Sequence, residues 1–202
     1  MAFQQKDNDS IDDKVALRQV ALSAVRDKPV IMKTHGGMGA IYDRLYYPYD
    51  QGVVFDKDSL KAQMLSQQRP TWCVYQADVE KALSLGAGAH MEINYLDLDP
   101  YGDSWPTINA YFGSKRPFAK RMIVVVNDGL RQKIRAGGAW DSKTLEPIVL
   151  MWGNQLWDKY LDACKVLLGM AIKDTGYEIK VFEGYYTGNG KKLTHFMAIL
   201  ER

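Results

Sequence analysis

The sequence predicts an α/β protein: a seven-stranded, mostly parallel sheet with helices on both faces and a C-terminal antiparallel hairpin. Three observations carry this. Five short apolar runs, at 29–32, 52–55, 71–75, 91–96 and 121–126, alternate with segments of helical spacing. The runs are continuous rather than alternating in polarity, as expected for strands covered on both sides. Finally, YEIKVFEGYY and LTHFMAILER flank the turn signal TGNGKK, the pattern of a hairpin around Gly188 to Lys192.

Each element has its own local reason. Ile11 to Val25 places Ile11, Val15, Leu17, Leu22 and Val25 near the helical period, with Ser10 as N-cap and Asp13 three residues on. Pro29 to Met32 is the first strand; it breaks into THGGMG, and AIYDRLYY resumes helical spacing. Gly52 to Phe55 is closed by Asp56, and DSLKAQML opens a helix capped by Asp58 or Ser59. Thr71 to Tyr75 precedes a helix over Ala77 to Leu85. Met91 to Leu96 ends in DLDPYG, and Arg121 to Val126 is β-branched through its middle. A long amphipathic segment, Leu150 to Ile172, leads to the hairpin.

At 202 residues one core suffices, and the expected organisation is an N-terminal extension with a helix over 1–28 and a single domain over 29–202. The opening MAFQQKDNDSIDD lacks the apolar stretch of a secretory signal, and no apolar run approaches the roughly 20 residues of a membrane span. Cys73 and Cys164 each lie in an apolar pattern and form no CxxC pair, which fits reduced thiols and a cytoplasmic protein and gives no metal site. A net charge of +2 is too small to argue for nucleic acid without local clustering.

In an open parallel sheet, ligands sit at the carboxyl ends of the strands, near the switch in strand order. Those ends carry His35-Gly-Gly-Met-Gly39, Asp56, Asp78, and Asp97 with Asp99. Glycines let a ligand approach the backbone, and a carboxylate after the second strand matches a ribose diol, so an adenosine-containing cofactor fits. The plainer alternative for Asp56, Asp58 and Asp78 is helix capping. Asp97-Leu-Asp99-Pro-Tyr-Gly102 reads as a strand that stops at a site. An acid there must be solvated, paired or used, while Pro100 and Gly102 shape the turn. Two basic clusters, one over 113–121 and the other Arg131, Lys133 and Arg135, are interleaved with Tyr111, Phe112 and Phe118. Their alternative is a solvated rim. Trp140, Trp152 and Trp157 are expected to pack helices.

This order of features, over about 29–202, resembles the class I S-adenosylmethionine-dependent methyltransferases, whose Rossmann-like sheet also ends in a hairpin. The Asp99-Pro-Tyr-Gly102 stretch is similar to the Asp-Pro-Phe-Gly of tRNA guanine dimethyltransferases and to the Asp-Pro-Pro-Tyr of amino-methylating DNA enzymes. The resemblance implies that Asp99 and the Pro100 carbonyl hold the target amine and that Tyr101 stacks on the base. It further implies that His35, Gly37, Gly39, Asp56, Asp78 and Asp97 hold S-adenosylmethionine, with the ribose at Asp56 and the adenine near Asp78. Arg131, Lys133 and Arg135 would then meet RNA or DNA. One departure stands out: aligning Gly37 and Gly39 with the family's glycines puts Lys33 where the family carries an acid. A small-molecule or protein substrate, or a non-catalytic binding protein on the same scaffold, are the alternatives. A nicotinamide enzyme fits less well, because Tyr42 stands where the dinucleotide fingerprint needs a small residue.

Overall fold

The computed structural model describes residues 11–135 and 143–202. Its strands are β1 (Ile31–Lys33), β2 (Gly52–Asp56), β3 (Cys73–Gln76), β4 (Tyr95–Leu98), β5 (Arg121–Asp128), β6 (Glu178–Thr187) and β7 (Leu193–Glu201). They form one sheet in the order β3-β2-β1-β4-β5-β7-β6. β1 to β5 pair in parallel, β7 is antiparallel to both β5 and β6, and β6 therefore runs with the parallel set. The order reverses between β1 and β4, so the switch point lies where the THGGMG loop and the DLDPYG turn leave neighbouring strands.

The two-residue period of the strands sorts side chains into two layers. Met32, Val53, Phe55, Leu96, Leu98, Met122, Val124 and Val126 face one layer, with α3 (Val79–Ser84), α4 (Trp105–Gly113), α6 (Glu146–Trp152) and α7 (Tyr160–Ile172). Ile31, Val54, Tyr95, Ile123 and Val125 face the other, where α1 (Ile11–Ser23) and a π-helical turn (Tyr42–Tyr46) lie. α2 (Ser59–Gln68) flanks β2 and β3, and α5 (Leu130–Arg135) follows β5. At the closing hairpin, Gly188, Gly190 and Lys191 take positive φ, and the Lys191 amide donates to the Gly188 carbonyl at 2.9 Å, closing the tip.

Three elements differ from their sequence patterns. Residues Met91 to Asn94 form no strand and β4 begins at Tyr95: the Met91 amide donates back to the Gly88 carbonyl in a turn, and Asn94 fixes the approach, its Oδ1 accepting from the Val30 N–H and its Nδ2 donating to the Lys28 carbonyl. The helix expected through AIYDRLYY is a π turn, its last amide donating from Tyr47 to the Tyr42 carbonyl. The long segment from Leu150 to Ile172 breaks at Gly153, whose φ of 49° ends α6 before α7 starts. Cys164 is buried and Cys73 half-buried. Trp140 lies outside the described residues. No described helix is long and apolar enough to cross a membrane.

Candidate functional site

The loop after β1 is built around glycine. The Gly36 amide donates to the Phe55 carbonyl at 2.8 Å, and a Cβ there would stand 2.4 Å from Leu65 Cδ1 and 2.8 Å from Val54 Cγ2. Gly37 and Gly39 have φ of 56° and 82°, and the Cβ position of Gly37 faces open space. Asp56, half-buried at the end of β2, fixes this loop: Oδ2 accepts from the Gly37 amide at 2.9 Å and Oδ1 from the Asp58 amide at 3.0 Å. Asp58 caps α2, and exposed Asp78 caps α3, accepting from the Lys81 amide. A shallow, largely apolar hollow beside Asp78 is lined by Tyr75, Ala77, Ala82, Leu85 and Ala87. His35 has its Nδ1 2.9 Å from Thr34 Oγ1. Burial first, and the Lys33 charge second, push its pKa down to about 4, so the ring is neutral near pH 7.

Asp97 departs from the expectation of a cofactor ligand. It is fully buried, and Arg18 from α1 grips it with two hydrogen bonds, Nε to Oδ2 at 2.9 Å and Nη2 to Oδ1 at 2.5 Å. The Tyr46 hydroxyl donates to Oδ2 at 2.8 Å, and Lys33 Nζ stands 3.1 Å from the same oxygen. With that many partners Asp97 is a structural anchor joining α1, the π turn and β4. Burial alone would raise its pKa, but Arg18 and Lys33 outweigh this and lower it.

Asp99, two residues on and therefore on the same side of the chain, meets the solvent boundary. Its Oδ1 accepts from Lys14 Nζ and from Asn127 Nδ2, both at 2.8 Å, and Lys33 Nζ is 3.9 Å from Oδ2. Burial is again overridden, here by Lys33, Arg18, Lys14 and the Asn127 hydrogen bond, and the carboxyl is held well below the usual range. Behind it runs a buried relay. Asn127 donates from its Nδ2 to Asp99, so its Oδ1 faces His195 Nδ1 at 2.6 Å, and His195 Nε2 lies 2.6 Å from Thr187 Oγ1. An acceptor oxygen opposite Nδ1 assigns the proton to that nitrogen. Burial pushes His195 down to about 4, consistent with a neutral ring.

Beyond Asp99, Pro100 is half-buried and Tyr101 is 98% exposed. Gly102 has φ of 100°, and its carbonyl accepts from the Gly129 amide at 2.8 Å, fastening the turn to the end of β5. Gly129 is needed there, since its Cβ would lie 3.0 Å from Gly102 Cα. Next to it, Asp128 is buried, accepting from the Tyr160 hydroxyl and the Leu130 amide. Desolvation raises its pKa to about 7.

The basic cluster after β5 does not act as a unit. Arg131 is only 3% exposed; its guanidinium lies between the rings of Trp157 and Tyr186 and donates to the carbonyls of Trp157 and Lys191. It ties α5 to the hairpin and is not free for a phosphate, which corrects the sequence-based role. Lys133 is exposed, and the Arg135 side chain lies outside the described residues. In the other cluster, Arg116 covers the Tyr111 ring and donates to the carbonyls of Leu83 and Ala87. Tyr111 and Phe112 are buried and pack with Phe118, so these aromatics form core and not a stacking face.

The residues that sequence patterns missed are Lys14, Arg18, Asn127 and His195. A signal existed for the first two: a lysine and an arginine four apart share one face of a helix, as Asp97 and Asp99 share one side of a strand.

No protein-family model matches the sequence, and no curated protein matches it. Solved structures do. Trm1 from Pyrococcus horikoshii, in complex with S-adenosyl-L-methionine, superposes with a TM-score of 0.69 at 10% identity over 95% of this chain. The fold is that of the class I methyltransferases. This chain spans about half of that Trm1 chain, 54%. The N-methyltransferase NodS from Bradyrhizobium japonicum, with S-adenosyl-L-homocysteine, gives 0.61 at 9% identity, covering 98% of this chain and 89% of that one. M. jannaschii TYW2 in complex with AdoMet gives 0.57 at 10%, covering 98% and 78%. On this methyltransferase fold, the β1 loop, Asp56 and the Asp99 turn all gather at the β1/β4 switch point.

Proposed function

We propose that the protein is an S-adenosylmethionine-dependent methyltransferase acting on an exocyclic amine of a nucleobase in RNA or DNA. The observation that carries this reading is Asp99. It is an ionised carboxylate at the carboxyl end of β4, braced by Asn127, with the fully exposed Tyr101 two residues away. Two of the structures sharing the fold were solved with S-adenosylmethionine, and one with S-adenosylhomocysteine belongs to an N-methyltransferase.

The residues present fit such a cofactor. Gly37 borders open space on a loop of positive φ, each Asp56 oxygen keeps a lone pair beyond its one backbone hydrogen bond, and Lys33 Nζ is buried without a hydrogen-bond partner. Gly37, Gly39, His35 and Asp56 would hold it, with Asp78 and its hollow toward the adenine. Bound, the cofactor supplies an electrophilic methyl group. The protein's part is positioning and electrostatics. Asp99 accepts a hydrogen bond from the target amine, aims its lone pair and stabilises positive charge growing on nitrogen. Because its carboxyl is held so low, it acts as an acceptor and not as a proton store. The Pro100 carbonyl offers a second acceptor, and Tyr101 presents a ring to a splayed base. Lys133 is the exposed cation of the α5 cluster that remains for the phosphate backbone.

Calorimetric titration with S-adenosylmethionine, followed by labelled-methyl transfer onto RNA, DNA and small molecules, tests the reading. Binding with transfer to RNA or DNA supports it, and transfer only to small molecules or protein would relocate the substrate. A second reading, a non-catalytic binding protein on this fold, is favoured by Lys14 sitting on Asp99; it predicts binding without transfer to any acceptor.

A further inference from the structure

The charges at the switch point do not balance. Lys14, Arg18 and Lys33 stand within 4 Å of the carboxylates of Asp97 and Asp99, three cations against two anions. They are not equally satisfied. Arg18 has two good hydrogen bonds to Asp97, and Lys14 has one to Asp99. Lys33 is 2% exposed and is held by charge: its Nζ is ion-paired with Asp97 Oδ2 at 3.1 Å, an oxygen that already accepts from Arg18 and Tyr46, and no well-formed hydrogen bond uses its donors. A buried ammonium that shares a crowded carboxylate with two other donors is under-satisfied and gains from a further anionic acceptor. A second cation beside the same loop has the same deficit. Arg69 is fully buried and all three of its guanidinium nitrogens lack hydrogen-bond partners, with Nη2 3.6 Å from the Cβ position of Gly39. Stacking over Tyr42 offsets part of its cost, and its charge adds to the positive field on the loop.

Lys33 is the last residue of β1, directly before the glycine loop, and it stands where the resembled family carries an acid. An acid there would favour the ammonium of an amino-acid group, whereas a lysine favours the carboxylate. Resting on the cofactor reading above, we infer that Lys33 is the binding group for the α-carboxylate of S-adenosylmethionine, so that this chain grips the cofactor's amino-acid end by its negative group. The carboxylate would complete the charge of the cluster and use the free donors of Lys33.

The test compares three thioethers by calorimetry on the whole chain: S-adenosylhomocysteine, its analogue lacking the carboxylate, and its analogue lacking the amino group. Losing the carboxylate should weaken binding about tenfold or more, the scale of one charge-assisted hydrogen bond, while losing the amino group should cost less than about threefold. Lys33→Met should bind S-adenosylhomocysteine and the decarboxylated analogue equally, and Lys33→Arg should keep the preference. Circular dichroism checks that the variants fold, and the comparison on the unmodified protein stands even if they do not. Equal affinity for the two analogues, or a larger loss from the amino group, overturns the assignment while leaving the cofactor reading intact. Failure of all three compounds to bind overturns both.

Discussion

Asp97→Asn should destabilise the fold severely, although the side chain barely changes shape. The carboxylate holds Arg18 through two hydrogen bonds and stands 3.1 Å from Lys33, all three groups being buried. Removing its charge leaves two desolvated cations facing Asp99 alone, and that carboxylate is already engaged by Lys14 and Asn127. Breaking a buried pair from one side costs about 3 to 5 kcal/mol. For a chain of this size that corresponds to a fall in Tm of about 6 to 20 °C. Urea unfolding at pH 7, followed by circular dichroism, reads the loss. A double variant with Arg18→Met should lose less than the two single variants added together, since Arg18 no longer needs a partner. A single-variant loss below about 1 kcal/mol, or simple additivity in the double, would mean that the cluster is not what locks α1 to β4.

Asp99→Asn retains the size and some hydrogen bonding but removes the charge, so turnover should drop about 10- to 1000-fold with cofactor affinity nearly unchanged; full activity would make the turn structural. Arg131→Ala should lower stability by loosening α5 from the hairpin and leave the salt dependence of RNA or DNA binding unaltered, whereas Lys133→Ala should flatten it; the reverse would restore Arg131 as a phosphate ligand. The Asp128 carboxyl, raised to about 7 in the fold from about 3.9 in the unfolded chain, binds its proton more tightly when native. Its contribution is therefore complete below the unfolded value and is lost as pH rises through about 7. Asp128→Asn should then gain on the unmodified protein between pH 4 and pH 8 in urea unfolding, and a pH-independent difference would refute the assignment. His35 and His195, lowered to about 4, give the opposite slope in both proteins, so the difference isolates Asp128.

The sheet was legible because its strands are short, apolar and bounded by glycine, proline or acid, and because the hairpin has its own turn grammar. Boundaries failed where local turns overrode pattern: the Met91 amide donates back to the Gly88 carbonyl and keeps the start of that apolar run in a turn, and Gly153 splits an otherwise continuous amphipathic run. At the site, Asp56 and Asp99 were visible as acids at strand ends. Their geometry was not, because it depends on partners far away in the chain: Lys14 is 85 residues from Asp99, and His195 is 68 from Asn127. The cluster after β5 misled because charge pattern cannot show direction. Arg131 points inward onto two rings whose positions only the hairpin and the start of α7 determine.

Lys14 and the proposed target amine make competing demands on Asp99. Both are nitrogen donors, and Lys14 already occupies Oδ1 at 2.8 Å, a site that Asn127 shares. Oδ2 is the oxygen left over, with Lys33 at 3.9 Å, too far for a hydrogen bond. A carboxylate oxygen accepts two hydrogen bonds, so an amine arriving at Oδ2 need not displace Lys14. In that arrangement Lys14 and Asn127 fix the plane of the carboxylate while Oδ2 meets the substrate. The same bracing explains why the acid can sit at the end of a strand without neutralising. Its charge is balanced before the substrate arrives, and the dipoles that hold it are part of the fold.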